Sequence, residues 1–595
     1  MQFIIEVNIE YKVIKIIHVC ISVLFLLLLF WQVQTHLPYQ LCQLEHTNLC
    51  VGDWDFFLPS LSKMGGAVQW LGTWGIQFFD KPFWGVLMFL LPVYGLFAIT
   101  ACLLRRKGKS SGLWMFGAGW VAVAQLFSLY DFNFYWSGAV ALCLAMSALW
   151  VLSFFKANLL RNLLFILCIP LITWLLGSVV LVYVLAGVCL FATKKDVWMT
   201  MVAPLAVCVG CIAGGYWLGG YSSLMAAVSP LLYFAPLLDI SYYHLLPWVW
   251  VVLVWGSARF LSKVDMKQKV LLLTIYFLGW IVPSVVLVQY GSTFRNQSNI
   301  DLWRLNHYAY TENWDAMLQF LQGKPMNNYL FMNYVNMALA QKGELGNWAF
   351  NYSPKGMNAL LVNANSTGSI RMLASDIHYM VGCVAEAQQH AFEAQVTFPT
   401  SLGIQTLKRL VKTNLIFGHY EVAEKYLNLI AKTTFHKDWA EKYRTYLCND
   451  SAIEADAELG MKRKGLSKQN RFAMFYGWQQ ELEDILEACP QNEKAMNYLG
   501  LSYLLNKDME GFGRFLDKYY GTESLQKLPP VFQQGVIALF QQEKDKWENY
   551  DLSPQVVNLY NQYRDLFFKN QKSPNLKNVM VRSYGYTFWY YLMFV

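Results

Sequence analysis

The hydrophobic pattern divides the chain into two parts. Up to about residue 291, long apolar runs follow one another with short polar loops between them, whereas residues 292–595 alternate apolar and polar positions as soluble helices do. A helix needs about 20 predominantly apolar residues to cross a bilayer. We interpret nine runs as membrane-spanning helices, at residues 13–33, 83–103, 112–129, 136–155, 162–175, 178–193, 198–218, 246–262 and 270–290. The pattern therefore predicts an all-α protein, with a transmembrane domain over 1–291 and a soluble helical domain over 292–595.

The composition agrees with a membrane protein. Of 595 residues, 56% are hydrophobic and only 14% are charged, against about 25% charged in soluble domains. This excludes a wholly soluble, a disordered or a fibrous chain. Residues 292–595 carry 31 basic and 29 acidic residues in mixed order, so no basic patch for nucleic acid is expected there.

The loop charges predict an orientation. Alternate loops lie on the same side of the membrane. Fourteen of the 16 basic residues in 1–291 fall in the loops of one side, and only Lys63 and Lys81 fall in those of the other. Basic loops face the cytoplasm, which places the N-terminus inside. The first run has basic residues before it and no small-residue cleavage site after it, which favours an uncleaved signal anchor. Nine crossings then place the C-terminal domain outside the cytoplasm. If one span were miscounted, the C-terminal domain would lie on the opposite side.

The longest outer loop, residues 34–82, is rich in Trp, Phe and Leu. It predicts one or two short amphipathic helices in the membrane interface, interrupted at Gly65 and Gly66. Cys42 and Cys50 lie in the same loop, where an oxidising compartment would allow a disulfide; two free thiols are the alternative.

A second outer stretch, residues 219–247, is apolar but contains Pro230 and Pro236. It is too short for two crossings, and we interpret it as a re-entrant or interfacial segment. It carries Asp239 and His244, and an ionisable residue at such a position is a functional candidate. The alternative, which we favour for His244, is that the side chain reaches the headgroup region.

The C-terminal part contains glycine and small-residue pairs at a helical spacing: Gly382 with Ala387, and Gly418 with Ala423. Gly500, ten residues after Pro490, is in phase with them. This pattern resembles the tetratricopeptide repeat, a helix–turn–helix unit of about 34 residues, in which the glycines occupy the turn and the alanines pack closely. Such repeats bind partner proteins on a concave surface, although the helices could also brace the membrane domain.

The repeat pattern is degenerate, and an irregular α-domain is the alternative. Large residues replace small ones at Trp348, Trp478 and Phe512. No nucleotide, metalloprotease or serine-hydrolase motif is present in this part. Three cysteines, at 383, 448 and 489, lack the spacing of metal ligands. His378 and His390 are expected to be packed or solvated.

The whole chain resembles a family of uncharacterised bacterial multi-pass membrane proteins with a periplasmic, repeat-like tail. The features that carry the resemblance are DFF at 55–57, Gly65-Gly66, QFF at 77–79, Pro82, Gly85 and the segment 375–394. The resemblance implies this architecture and a Gram-negative inner membrane as location. It implies no activity.

The membrane part is also similar in plan to the GT-C class of glycosyltransferases, which use lipid-linked sugars. They share a cytoplasmic N-terminus and a large first outer loop with acidic residues, and some carry lumenal tetratricopeptide repeats. Asp53 and Asp55 would fill the acidic position, with Asp239 as a third candidate. A carboxylate can act as general base or hold a divalent cation near a phosphate. This similarity implies a polyprenyl-phosphate sugar as substrate.

Two other functions stay open. The membrane domain could anchor a periplasmic scaffold that assembles envelope proteins, with the bilayer and those proteins as its partners. A transporter is the third alternative, but transporters show paired broken helices, and only one broken segment is visible here.

Overall fold

The computed structural model describes residues 2–107, 113–193, 196–236, 238–261, 269–326, 328–363, 367–398, 402–466 and 477–595. Helices make up 76% of the structure, and these ranges contain no β-strand, in agreement with the predicted all-α class. Three basic stretches used in the topology prediction, 108–112, 194–195 and 262–268, lie outside the described residues. The described chain forms two compact units. One comprises Met1–Asp301 with Lys432–Phe435, and the other comprises Leu302–Ala431 with His436–Val595.

The first unit consists of long apolar helices joined by short irregular segments. Its α-helices are Gln2–His36, Pro38–His46, Trp54–Ser60, Gly66–Ile76, Pro82–Lys107, Leu113–Tyr130, Trp136–Leu152, Asn158–Leu176, Val180–Phe191, Ala203–Trp217, Leu224–Val228, Leu246–Leu261 and Lys269–Tyr290. A π-helical turn, Trp198–Val202, precedes one of them. Short 3-10 helices are Pro230–Tyr233, Tyr242–Leu245 and Gly291–Phe294. The helix Gln297–Tyr310 continues into the second unit.

Five helices in the described residues are long and apolar enough to cross a membrane. They are Val19–His36, Pro82–Arg106, Asn158–Leu176, Trp198–Trp217 and Phe277–Phe294. The other four predicted spans also contain a helix, at Leu113–Tyr130, Trp136–Leu152, Val180–Phe191 and Leu246–Leu261, but none of these is among the five, so the count of nine is not confirmed. The shortest, Val180–Phe191, has 12 residues and a length of about 18 Å, well below the roughly 30 Å of hydrocarbon.

Small residues let the helices of this unit approach closely. A side chain at Gly72 would meet Cβ of Ser137 at 2.7 Å, and one at Gly75 would meet the Trp136 ring at 2.3 Å. The helix Gly66–Ile76 therefore packs directly on Trp136–Leu152, as small residues allow in membrane helix bundles.

The turn predicted near Gly177 is present. Gly177 ends the helix Asn158–Leu176 with φ +86°, a conformation that glycine adopts at little cost. The segment 219–247 forms only short helical turns, as its prolines predict. Its Tyr233 is completely buried, and Tyr135 donates its backbone N–H to the Tyr233 carbonyl at 2.8 Å.

The second unit is built of helix pairs. Its α-helices are Trp314–Leu321, Tyr329–Gln341, Leu345–Trp348, Gly368–Val381, Val384–Thr397, Ile404–Phe417, Tyr420–Ala431, Lys437–Arg444, Asp450–Ala455, Leu459–Lys464, Trp478–Ala488, Glu493–Leu505, Met509–Tyr519, Pro530–Leu539, Pro554–Asn570, Leu576–Tyr584 and Phe588–Phe594. Its 3-10 helices are Ala349–Tyr352, Met357–Ala359 and Lys544–Asn549.

Helices that follow one another in the chain pack against each other in this unit, from Gly368–Val381 to Lys437–Arg444 and again from Trp478–Ala488 to Pro530–Leu539. We name the first pair, Gly368–Val381 and Val384–Thr397, the Gly382 hairpin. The pair Ile404–Phe417 and Tyr420–Ala431 turns at Gly418. Both glycines are left-handed, with φ +107° and +76°, which ends a helix without the steric cost of a side chain.

Candidate functional site

The outer loop contains the short helices that its sequence predicts. The helices Trp54–Ser60 and Gly66–Ile76 are separated at Gly65, which has φ +75°. A side chain at Gly66 would collide with the Ser60 carbonyl oxygen, 1.7 Å away. Trp54 and Leu58 are exposed, so the first of these helices presents an apolar surface that suits a membrane interface.

Asp53 begins this helix. Its carbonyl oxygen accepts the backbone N–H groups of Phe56 and Phe57, both at 3.1 Å. Its carboxylate pairs with Nζ of Lys432 at 2.6 Å, and about a third of the side chain is exposed. Asp55 lies in the first turn of the same helix, but its side chain is outside the described part. Both residues stay predictions as catalytic groups.

Asp239 lies in the irregular segment before the 3-10 helix Tyr242–Leu245, and it is exposed. Cys42 and Cys50 are free thiols. Burial, followed by the charge of Asp80, raises the pKa of Cys42 to about 12, and burial raises that of Cys50. The Cys42–Cys50 disulfide stays a prediction.

Asp131 and His244 form a pair that the sequence did not suggest. Nε2 of His244 lies 3.2 Å from Oδ2 of Asp131, and the Tyr243 hydroxyl donates to the same oxygen at 3.1 Å. The backbone N–H of Asn133 donates to Oδ1 at 2.9 Å. Burial opposes ionisation, but these hydrogen bonds and the charge on His244 hold the pKa of Asp131 below its usual value.

His244 has no accessible surface, which contradicts the expectation that it reaches the headgroup region. Its ring stacks on Phe134, with centroids 5.2 Å apart, and packs against Phe234 at the same distance. The pair joins segments 113 residues apart. This arrangement fastens the irregular segment to the loop after the helix Leu113–Tyr130.

A group of charged and aromatic residues lies on the second unit. We name it the basic cluster; its cations are Arg409, Lys412, Lys462 and Lys494. The Arg409 guanidinium stacks 3.6 Å from the centre of the Tyr379 ring, and the Lys462 ammonium lies 4.4 Å from it. Tyr379 is on the helix Gly368–Val381, and Arg409 and Lys412 are on the helix Ile404–Phe417; these are the first helices of two successive hairpins.

Two carboxylates neutralise part of this charge. Arg409 donates to Oδ1 of Asp376 at 2.7 Å. Both carboxylate oxygens of Glu458 accept hydrogen bonds from Nζ of Lys412, each at 2.9 Å. The Tyr379 hydroxyl donates to Oε1 of Glu458 at 2.8 Å. These side chains are only partly exposed, between 12% and 39%. Three of the cations, Arg409, Lys412 and Lys462, thus share two acids in a half-buried setting, whereas Glu312 and Glu493 also act on Lys494.

The electrostatics of Lys462 reflect this excess of positive charge. Burial and the neighbouring cations Lys494, Arg409 and Lys412 together lower the pKa of Lys462 to about 7, against the opposing charge of Glu458. An ammonium group with a pKa near neutrality gains its proton when an anion binds beside it. The arrangement is therefore suited to binding an anionic group.

The described residues therefore define an all-helical protein. It has five apolar helices that could cross a membrane, and its second unit is built of consecutive helix pairs. The chain belongs to the DUF6057 family, a family of unknown function whose model matches residues 12–595. No curated protein matches the chain. No solved structure matches it either.

Proposed function

We propose that the protein is a multi-pass protein of the bacterial inner membrane whose periplasmic, tetratricopeptide-like domain is a scaffold that binds an acidic segment of another envelope protein. The membrane domain anchors this scaffold. The observation that carries the proposal is the basic cluster, in which Arg409, Lys412 and Lys462 share the carboxylates of Asp376 and Glu458.

The position of the cluster supports a partner-binding role. In tetratricopeptide-like arrays the stacked hairpins present a continuous groove to a partner. Tyr379, Arg409 and Lys412 are on the first helices of two adjacent hairpins, so one extended ligand could contact all of them. Arg409 and Lys412 are already held by Asp376 and Glu458, which leaves Lys462 as the cation whose charge depends most on the ligand.

Binding of a fluorescent poly-glutamate peptide to the full-length protein in detergent tests this proposal. Lys462→Gln should weaken binding about fivefold, because one charge pair near a protein surface contributes on the order of 1 kcal/mol or more. Lys464→Gln is the matched control, since Lys464 is on the same helix and exposed. Equal affinities for the two variants would contradict the proposal.

The pH dependence adds a second readout. Lys462 is charged below its pKa of about 7, so binding by the wild type should weaken between pH 6 and pH 8, about one unit to either side of that value. In Lys462→Gln this component should disappear.

A lipid-linked glycosyltransferase is the second candidate. What favours it is the position of Asp53 at the start of a helix with exposed Trp54 and Leu58, where a polyprenyl chain could lie against the apolar surface. Lys432, paired with Asp53, could hold the donor phosphate. Asp55 and Asp239 would complete the acidic set, with a divalent cation as a further requirement.

Charge-neutral substitutions distinguish this candidate from the scaffold. Asp53→Asn and Asp55→Asn keep the side-chain volume, and loss of a general base costs about 10²–10⁴-fold in rate. If the protein is a transferase, at least one variant should reproduce the surface-glycan phenotype of a deletion strain at normal protein level. Asp80→Asn, in the same loop, is the control. Full rescue by the double variant would remove the transferase as a candidate.

A further inference from the structure

The turn of the Gly382 hairpin brings together three side chains with the chemistry of metal ligands. A ring nitrogen of His378, Sγ of Cys383 and a carboxylate oxygen of Glu481 all lie within 4.8 Å of one another. Their sequence spacing gives no sign of this, because Glu481 comes from the distant helix Trp478–Ala488. The first two residues are buried and the third is half-buried.

The backbone at this turn is well defined by its own hydrogen bonds. The His378 carbonyl accepts the N–H groups of Gly382 at 3.1 Å and of Cys383 at 2.9 Å. Asn492 donates from Nδ2 to the Val381 carbonyl at 2.8 Å, in the interior. The turn is thus attached to a neighbouring helix, so that Cys383 and His378 are preorganised relative to Glu481.

The burial and the hydrogen bonding of His378 also favour a metal site. Only 6% of His378 is exposed, and its Nδ1 has no hydrogen-bond partner among the described residues. A buried polar atom without a hydrogen-bond partner destabilises the folded state. Burial, together with the neighbouring His390, lowers the pKa of His378 to about 3, so its imidazole is neutral, the form that binds metals.

A second carboxyl group, that of Glu386, lies against Glu481. Burial, followed by contact with the Glu386 carboxyl group and by the charge of Asp484, raises the pKa of Glu481 to about 9. Two carboxyl groups in contact repel each other when both are ionised. A divalent cation between them would remove this repulsion.

We propose that the second unit binds one Zn²⁺ ion through His378, Cys383 and Glu481, and that this ion fastens the Gly382 hairpin to the helix Trp478–Ala488. Imidazole, thiolate and carboxylate are the donors that zinc takes in proteins. In a tetrahedral zinc site the donor atoms are about 3.5 Å apart, so shifts of about 1 Å in the three donor atoms would close the site. The Glu386 carboxyl group, in contact with that of Glu481, borders the site.

Zinc binding releases two protons from the site. Zinc displaces the proton of the Cys383 thiol and the proton of the Glu481 carboxyl group, while His378 binds through a neutral nitrogen. The two protons leave to water. The thiolate and the carboxylate then carry two negative charges, which neutralise the ion in a buried setting.

The test uses full-length protein purified in detergent with a tag that contains neither histidine nor cysteine, and stripped with a chelator. One equivalent of Co²⁺, a spectroscopic substitute for zinc, should bind and produce a thiolate-to-cobalt charge-transfer band. Added Zn²⁺ should displace it, and zinc should raise the melting temperature. Absence of a saturable one-equivalent band would overturn the proposal.

Variants identify the ligands. Cys383→Ser should abolish the charge-transfer band and weaken metal binding about 100-fold or more, since even outer partners of metal ligands contribute 10–100-fold. Glu481→Gln, of equal volume, should weaken binding while the band remains in any residual complex. Cys448→Ser, at an exposed position, is the control and should bind normally. If Cys383→Ser lost its helical circular dichroism, the test would rest on metal binding by Glu481→Gln. Unchanged metal binding by Glu481→Gln would then overturn the proposal.

Discussion

At the scale of single residues, Ala387 and Ala423 show why small side chains recur in the second unit. Neither has accessible surface. The Ser375 hydroxyl donates to the Ala387 carbonyl at 2.6 Å, which holds the two helices of the Gly382 hairpin in close contact. The sequence spacing predicted both positions, because each belongs to a helix that packs on its immediate neighbour.

Ala387→Leu should destabilise the protein by about 1–3 kcal/mol, because a larger side chain has to displace the facing helix. Ala423→Trp should do the same at the next hairpin. Ala385→Leu is the matched control: Ala385 is exposed on the same helix, and surface changes usually stay within about 0.5 kcal/mol. Chemical denaturation of the full-length protein measures the difference. Equal stability of Ala387→Leu and Ala385→Leu would contradict the close packing.

The stability of the basic cluster should depend on pH through Glu458. Burial opposes ionisation, but the charge and hydrogen bonds of Lys412 and the Tyr379 hydroxyl hold the pKa of Glu458 below its ordinary value of 4.5. A carboxyl group with a lowered pKa stabilises the folded state above its unfolded pKa. That contribution is lost as the pH falls through the lower, folded value.

Glu458→Gln should therefore be less stable than the wild type at neutral pH, and the difference should shrink below about pH 4. Glu454→Gln, at an exposed position in the preceding helix, should show no such dependence. Thermal unfolding measured over a pH series gives the answer. A difference that stays constant down to pH 3 would show that the Glu458 charge is not the cause.

At the scale of elements, glycines with left-handed backbone end several helices. Gly418 is the clearest case, because a side chain there would meet nothing within 4 Å. Any cost of substitution therefore comes from the backbone conformation alone. Gly382 differs, since a side chain would also approach Nδ2 of Asn492 at 3.3 Å.

Gly418→Ala should lower the free energy of unfolding by about 1–2 kcal/mol, the cost of left-handed backbone for a residue with a β-carbon. Gly418→Asn should cost less, because asparagine tolerates this region. Denaturant unfolding of both variants compares them directly. If alanine and asparagine were equally tolerated, the turn would have to adopt another conformation in solution.

The same local signals explain which other elements could be predicted. Gly65-Gly66 separates two short helices as the sequence indicated, and Gly177 ends a helix at the expected turn. The predicted span 178–193 shortens to Val180–Phe191, since the residues around Gly177 form the turn itself. Hydrophobicity alone does not distinguish a turn within an apolar run from the helix beside it.

At the scale of the whole molecule, the orientation in the membrane stays a prediction that labelling can test. A cysteine introduced at Asn313, just before the helix Trp314–Leu321, should react with a membrane-impermeant reagent in intact cells. One introduced at Lys107, at the end of the helix Pro82–Lys107, should not. Positive residues such as those around Lys107 face the cytoplasm.

The labelling requires a background in which the exposed native thiols Cys20, Cys102 and Cys448 are replaced by serine. Permeabilised cells provide the positive control for Lys107. Reaction at Lys107 alone in intact cells would reverse the orientation and place the second unit in the cytoplasm, where neither the scaffold nor the transferase proposal could hold as stated.

Hydrophobic runs, helix pairs and glycine turns depend on residues that are close in sequence, and they were readable from the chain for that reason. The pairing of Asp131 with His244, the contacts of the basic cluster with Tyr379 and the contact of Glu481 with the Gly382 hairpin join residues from 30 to more than 100 positions apart. No periodicity connects such residues. Their proximity follows from how the helices pack, because packing brings together side chains that have no relation in the order of the sequence.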